Sequence, residues 1–263
     1  MAKQKGGVPA VSGSEVSVSV VIVNWNGAAV LPRCLDALAA QTLRDFEFLV
    51  VDNASSDSSA DGLEASHPLA RVIRLERNIG FAAANNLAAR AARGKWLALV
   101  NNDTFLDPHW LEAMVTAGEA RPEFTSFASR LLQANDPSRL DGAGDGYHIS
   151  GLVWRLGHGQ PAAETALGEE EVFSPCGAAA FYLRQALLDA GGFDEDYFAY
   201  VEDVDLGFRL RLLGHRCLYV PTAVAHHVGS ASHGPNSDFS VYYGQRNLVW
   251  TYVKNMPGRY FWL

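Results

Sequence analysis

The chain has 263 residues, 48% hydrophobic and 19% charged, which suits one large α/β domain or two merged halves and leaves little room for extensive disorder. A net charge of −8 provides no basic surplus to neutralise a phosphate backbone, so a general nucleic-acid binder is excluded. Three scattered cysteines, Cys34, Cys176 and Cys217, fit neither a disulfide framework nor a zinc site and read as small hydrophobes in a reducing cytoplasm.

Residues 1–15 lack the apolar stretch of a signal peptide and read as a flexible leader. No window approaches the ~18 apolar residues of a membrane span. Residues 17–24 (SVSVVIVN) then predict a buried parallel strand. Helical spacing follows over 32–40, a second strand over 46–52, and a loop of capping residues over 53–57. A third strand is expected at 71–75. The turn Asn78-Ile79-Gly80-Phe81 opens an alanine-rich helix over 82–93, with Gly94 as its C-cap. Residues 95–100 form a fourth strand that leads into Asn101-Asn102-Asp103. Strands alternating with helices imply a parallel sheet. Right-handed crossovers would gather the polar strand ends along one edge, where ligands of open α/β sheets bind.

The texture changes near Phe124. Residues 140–159, rich in Gly, Asp and His, and the acidic stretch 160–171 read as loops and a surface excursion. A small-residue strand is expected over 174–183, a turn over 191–195, and a helix over 204–213 with Asp205 and Arg209 at i,i+4. A last strand at 215–220 and a last helix at 239–254 follow. No internal repeat is present. The C-terminal end has no acidic residue after Asp238 but keeps Arg246, Lys254 and Arg259 among large aromatics, a pattern that suits a membrane–water interface or a docking helix. The chain stops at Phe261-Trp262-Leu263 as though a longer tail followed.

Two constellations carry chemistry. Asp103 at a strand end is half of a Mg²⁺ or Mn²⁺ site, to be completed by substrate phosphates. Glu202 and Asp203, at the start of a helix and directly after the aromatic segment 198–201, offer a carboxylate to take a proton from an attacking hydroxyl. Reactions that expel a diphosphate need both. His226, with His227 as the close alternative, could bring a further metal ligand from the second half. Arg246 could clamp a diphosphate or lie at the surface.

Taken together, VVIVNWNG (20–27), VVDNASSD (50–57), RNIGFAAANN (77–86), LVNNDT (99–104), GGFDEDYFAYVEDVDLGFRL (191–210), AHHVGS (225–230) and YYGQRN (242–247) resemble the family-2 glycosyltransferases of the GT-A fold. The pattern is closest to the rhamnosyltransferase-like branch that builds bacterial surface polysaccharides. The resemblance implies a Rossmann-like α/β fold with a mostly parallel central sheet flanked by helices and a merged acceptor-binding half. It divides the chain into a leader (1–15), a nucleotide-sugar half (16–104), an acceptor-binding and catalytic half (105–237) and a C-terminal helix (238–263).

Carried over residue by residue, the resemblance gives Asn24, Asn26, Asp52 and Asn53 to the nucleoside and Asn78, Gly80, Phe81 and Asn85 to the donor pocket. Asn101-Asn102-Asp103 stands where the family has Asp-X-Asp, with Asn101 replacing the first Asp and lowering the negative charge at the metal site. Asp203 becomes the base and His226 the distal metal ligand. The implied reaction is inverting transfer from a dTDP- or UDP-sugar to a saccharide or lipid-linked saccharide. Its expected setting is the cytoplasm, with peripheral contact at the inner face of a membrane. A pyrophosphorylase would need a basic Gly-rich loop after the first strand, and an NAD enzyme a G-x-G-x-x-G there. The turn is instead Asn24-Trp25-Asn26-Gly27. A non-catalytic glycan-binding module would have no use for both Asp103 and Asp203.

Overall fold

The computed structural model describes residues 16–229 and 237–260; residues 1–15, 230–236 and 261–263 lie outside the described residues. The first half follows the β-branched runs. β1 (Val18–Asn24), β2 (Phe46–Asp52), β3 (Ala70–Arg74) and β4 (Trp96–Asn101) alternate with α1 (Leu31–Ala39), the single turn α2 (Leu63–Ser66) and α3 (Phe81–Ala91). All pairings among these four strands are parallel, in the order β4-β1-β2-β3.

The second half extends the same sheet. β5 (Thr104–Leu106) and α4 (Trp110–Ala120) are followed by β6 (Ser126–Gln133), β7 (Asp136–Gly142), β8 (Asp145–Tyr147) and β9 (Val153–Arg155). Then come β10 (Glu170–Val172), β11 (Ala179–Leu183), α5 (Arg184–Asp189), α6 (Glu202–Leu212), β12 (Cys217–His227) and α7 (Asp238–Asn255). The main sheet runs β10-β12-β6-β11-β4-β1-β2-β3, with β5 against β12 and β7 against β6. Along that path only β11 and β10 oppose the other strands, so the sheet is mostly parallel.

Successive side chains of a strand face opposite sides, and both faces are covered. Val18, Val20 and Ile22 pack with Leu35, Leu38, Trp110 and Met114 from α1 and α4. Val21, Leu49 and Leu99 pack with Ala84, Ala88, Leu187 and Leu206 from α3, α5 and α6. This is an α/β sheet with helices on both faces, as the sequence predicted.

Three expectations need correction. Residues 140–159 are strands as well as loops: β7 joins the main sheet and β8–β9 form a separate antiparallel hairpin. The last strand does not end at residue 220 but continues through His227. Gly94 does not cap α3, whose C-cap is Ala92. A Cβ at Gly94 would stand 2.5 Å from the main-chain nitrogen of Ser19, so that glycine permits close approach to β1.

Candidate active site

The carboxyl ends of β1, β2 and β4 open into a cleft of about 640 Å³, closed on the far side by the β8–β9 hairpin and the start of α6. That size suits a sugar nucleotide or similar ligand. Asn53 lines it and ties two strand ends together. Its Nδ2 donates to Asn78 Oδ1 at 2.9 Å and its Oδ1 accepts from the Ile79 N–H at 2.9 Å. Trp25, Asn78, Gly80 and Phe81 line the same end.

Other residues expected at the nucleoside instead build the floor beneath it. Asn24 is fully buried, accepting from Asn102 Nδ2 at 2.9 Å and donating to Ser59 Oγ at 2.8 Å. Asp52 Oδ1 accepts from the Ser55 N–H, and Asn26 Oδ1 accepts from the Ser56 N–H, so both shape the 53–57 loop. Asn85 turns inward, its Nδ2 donating to the Phe81 carbonyl one helical turn earlier; it does not line the cleft.

Asp103 is 5% exposed at the junction of β4 and β5. Pairing of β5 with β12 sets Thr104 opposite His227 and Phe105 opposite His226. Adjacent residues of a strand point to opposite faces, so only one histidine can face Asp103, and it is His227. Its Nε2 lies 3.4 Å from Asp103 Oδ1, and its Nδ1 lies 2.9 Å from Asp141 Oδ2. His226 turns the other way, with Nε2 3.2 Å from Asp107 Oδ1. The expectation for His226 therefore gives way to His227, for a reason of register that sequence cannot supply.

Burial alone would favour a neutral His227, but a carboxylate at each ring nitrogen pushes its pKa up to about 9. Among the described residues no cluster of three or more His, Cys, Asp and Glu side chains is arranged to hold a metal. Asp103 and His227 could hold an ion between them once it displaces the proton on Nε2, and Asp141 at Nδ1 stands where metal-binding histidines usually have an outer partner. The donor set fits Mg²⁺ or Mn²⁺ completed by phosphate oxygens.

At the other end, Asp203 Oδ2 accepts from the Gly177 N–H and Oδ1 from the Val204 N–H, both at 2.8 Å. Two main-chain donors fix the carboxylate, and each oxygen keeps a lone pair for another proton. Glu202 differs. Its Oε2 is buried and has no hydrogen-bond partner among the described residues. Burial, with the Asp203 charge adding to it, pushes its carboxyl well above the ordinary value.

The segment before α6 is strained: Phe198, Tyr200 and Val201 all have positive φ, at 66°, 68° and 67°, a region costly for bulky side chains. Asn247 of α7, fully buried, holds it by donating Nδ2 to the carbonyls of Tyr197, Ala199 and Tyr200 at 3.1, 2.9 and 2.7 Å. Arg246 belongs to this clamp. Its guanidinium donates to the Asp196 and Tyr197 carbonyls and lies 4.1 Å from the Trp250 ring centroid. It is not among the cleft-lining residues, so the structure does not aim it at a diphosphate. The Phe198 carbonyl in turn accepts from the Phe81 and Ala82 N–H groups, which joins the loop to the start of α3.

Sequence reasoning missed the wall formed by residues 141–158. Asp141, Asp145, Arg155 and His158 all line the cleft. Arg155 bridges Asp141 at 3.2 Å and Asp145 at 3.5 Å, linking the Asp103 end to the Asp203 end. Burial pushes the Asp145 carboxyl up, Arg155 opposes this, and the Asp203 charge adds to it. The one available signal was the density of Asp and His in a stretch read as exposed loop.

Comparison with known proteins places the chain in a family and a fold. The profile of Glycosyl transferase family 2 matches residues 19–188. An N-acetylglucosaminyl-diphospho-decaprenol L-rhamnosyltransferase of Mycobacterium tuberculosis (strain H37Rv) is 29% identical over 233 residues, covering 79% of this chain and 75% of its own. An uncharacterized protein of Sinorhizobium fredii is 29% identical across 82% of this chain, which spans only 25% of that protein. Among solved structures, GalNAc-T7 with UDP, GalNAc and Mn²⁺ superposes with a TM-score of 0.70 at 17% identity, over 90% of this chain and 47% of that one. The Pyrobaculum calidifontis mannosyltransferase PcManGT, in complex with GDP-Man and Mn²⁺, gives 0.62 at 18% identity, over 91% and 63%. The folds are those of GT-A glycosyltransferases. With the profile covering well over half of its length, and its strand ends and acidic pair in the family's order, the chain belongs to glycosyl transferase family 2.

Proposed function

We propose that the protein moves a sugar from a nucleoside diphosphate to a saccharide or lipid-linked saccharide with inversion at the anomeric carbon. The observation that carries this reading is the pairing, in one cleft, of an Asp103–His227 half-site with a held carboxylate at Asp203. Trp25, Asn53 and Asn78 would bind the nucleoside. Among the described residues, acidic side chains outnumber basic ones along the cleft, five against Arg155, His158 and His227, so the site offers a diphosphate little positive charge of its own. A Mg²⁺ or Mn²⁺ ion held by Asp103 and His227 would supply the missing positive charge to the departing diphosphate. Asp141 keeps the His227 ring turned towards Asp103.

Asp203 accepts the acceptor hydroxyl's proton as that oxygen bonds to the anomeric carbon and the bond to the diphosphate breaks. Glu202, whose protonated form is favoured, is the poorer base and acts beside it. The donor is a dTDP- or UDP-sugar, rhamnose being the first sugar to try given the M. tuberculosis relative, and the setting is bacterial cell-surface polysaccharide synthesis. Among the described residues no helix is long and apolar enough to cross a membrane. Val241, Tyr242, Val249 and Val253 leave an exposed apolar stripe on α7, and with the basic residues near it this suits peripheral contact at the cytoplasmic face. Deleting residues 248–263 without loss of liposome binding would remove that part of the proposal.

The reading is tested by thermal stability against dTDP, UDP, GDP and CMP, each with and without Mn²⁺, with Asp103→Ala as control. A ligand at 100 times its Kd adds about 2.7 kcal/mol, roughly 5–10 °C for a chain of this size. A Mn²⁺-dependent shift for one nucleotide, absent in the variant, is expected. NMR of the product's anomeric configuration then decides inversion against retention.

A further inference from the structure

We propose that the β8–β9 hairpin carries an acceptor subsite in which Trp154 stacks on the apolar face of a pyranose ring. This rests on the transferase reading above. Trp154 lines the cleft and is 43% exposed, an unusual place for a large indole that helps fill no core. Its position is set by its partner strand. Gly146 pairs with Trp154 across the hairpin, and a Cβ at Gly146 would stand 2.5 Å from Trp154 Cε2 and Cζ2. The indole thus lies against bare main chain where any other residue would push it away, which fixes the ring while leaving it accessible.

Flat, rigid aromatic surface suits the C–H face of a sugar ring. The next residue, Arg155, lies on the other face of β9, where it pairs with Asp145 and Asp141. The hairpin is also tied to the base. The Asp145 N–H donates to the Ser174 carbonyl at 2.9 Å, and three residues on the Gly177 N–H donates to Asp203 Oδ2 at 2.8 Å. The hairpin that carries Trp154 is therefore anchored to the segment that holds Asp203, and Trp154 lines the same cleft as Asp203.

The test uses the full chain with Mn²⁺, UDP- and dTDP-sugars, and a panel of p-nitrophenyl pyranosides as acceptors. Trp154→Ala should raise the acceptor KM by about tenfold, equivalent to ~1.4 kcal/mol, with donor KM unchanged, and Trp154→Phe should recover most of the loss. An unchanged acceptor KM in Trp154→Ala would overturn the subsite while leaving the transferase reading intact. Saturation-transfer NMR supplies a readout independent of turnover. Methyl pyranosides should receive saturation at their ring C–H protons from the wild-type protein and lose it in Trp154→Ala. That loss in a protein that transfers nothing would keep the subsite and sink the transferase reading. The exposed hairpin tip, Ile149 and Leu152, provides the last control. If Ile149→Ser and Leu152→Ser reduce transfer as much as Trp154→Ala, and only with vesicle-bound acceptors, the hairpin meets lipid and the proposal is wrong.

Discussion

Replacing His227 with alanine should abolish tight Mn²⁺ binding, whereas replacing His226 should leave it unchanged. His227 presents Nε2 to Asp103 at 3.4 Å and is held from behind by Asp141 at 2.9 Å; His226 faces Asp107 instead. Removing an outer partner of a metal-binding histidine typically costs about 10- to 100-fold in affinity. Removing the ligand itself takes one of two protein donors, so a loss of at least about 100-fold, near 2.7 kcal/mol, is expected for His227→Ala. Asp141→Asn, which still accepts a bond from the ring, should fall in the lower part of the 10- to 100-fold range. The assay is electron paramagnetic resonance of free Mn²⁺ in a titration with UDP present, on variants whose folding is checked by circular dichroism. A loss in His226→Ala with none in His227→Ala would refute the assignment and the register argument behind it.

Three further predictions follow from the loop and the buried carboxyl. Burial raises the Glu202 carboxyl above the ordinary 4.5, so the folded protein holds that proton to higher pH than the unfolded chain does. Stability is then fullest below about pH 4.5 and falls as pH rises; Glu202→Gln should raise Tm at pH 8 and leave it nearly unchanged at pH 4 in calorimetry. Asn247→Ala takes the side-chain donor from the Ala199 and Tyr200 carbonyls, the Tyr197 carbonyl keeping Arg246, and should destabilise by roughly 1–3 kcal/mol, with kcat falling more than donor KM rises because the strained loop aims Asp203. Gly80 has φ +86°, and a Cβ there would meet the Phe198 ring at 2.6 Å. Gly80→Ala should therefore cost more than about 2 kcal/mol and lower Tm by roughly 4 °C or more, and an unchanged Tm would show that the contact between α3 and the loop is dispensable.

The first half of the fold was readable because β1, β2 and β4 are short runs of Val, Ile, Leu and Phe ended by Asn or Asp, and both signals are local. β6 was not. Its sequence, SFASRLLQ, places Ser126, Ser129 and Arg130 in the interior, where partners far along the chain satisfy them. Ser129 Oγ accepts from Trp110 Nε1 and donates to the Ala179 carbonyl, and Arg130 donates to the Thr165 and Ala166 carbonyls. The Asp141–Arg155–Asp145 bridge was hidden in the same way, since a Gly-rich stretch gives no sign that its charges pair. The choice between His226 and His227 turns on strand parity, which a single sequence leaves open. Arg246 and Asn85 have suitable chemistry for a ligand, but nearby carbonyls already occupy their donors.

The central claim is that Asp203 is the base of a sugar transfer, and Asp203→Asn tests it most directly. The substitution keeps the shape and one acceptor oxygen but removes the proton-accepting charge. Transfer from a nucleoside-diphosphate sugar, measured by product formation with saturating donor and Mn²⁺, should fall by about 10² to 10⁴, while the nucleotide-dependent rise in Tm stays near that of the wild type. Near-normal transfer by Asp203→Asn would contradict the account.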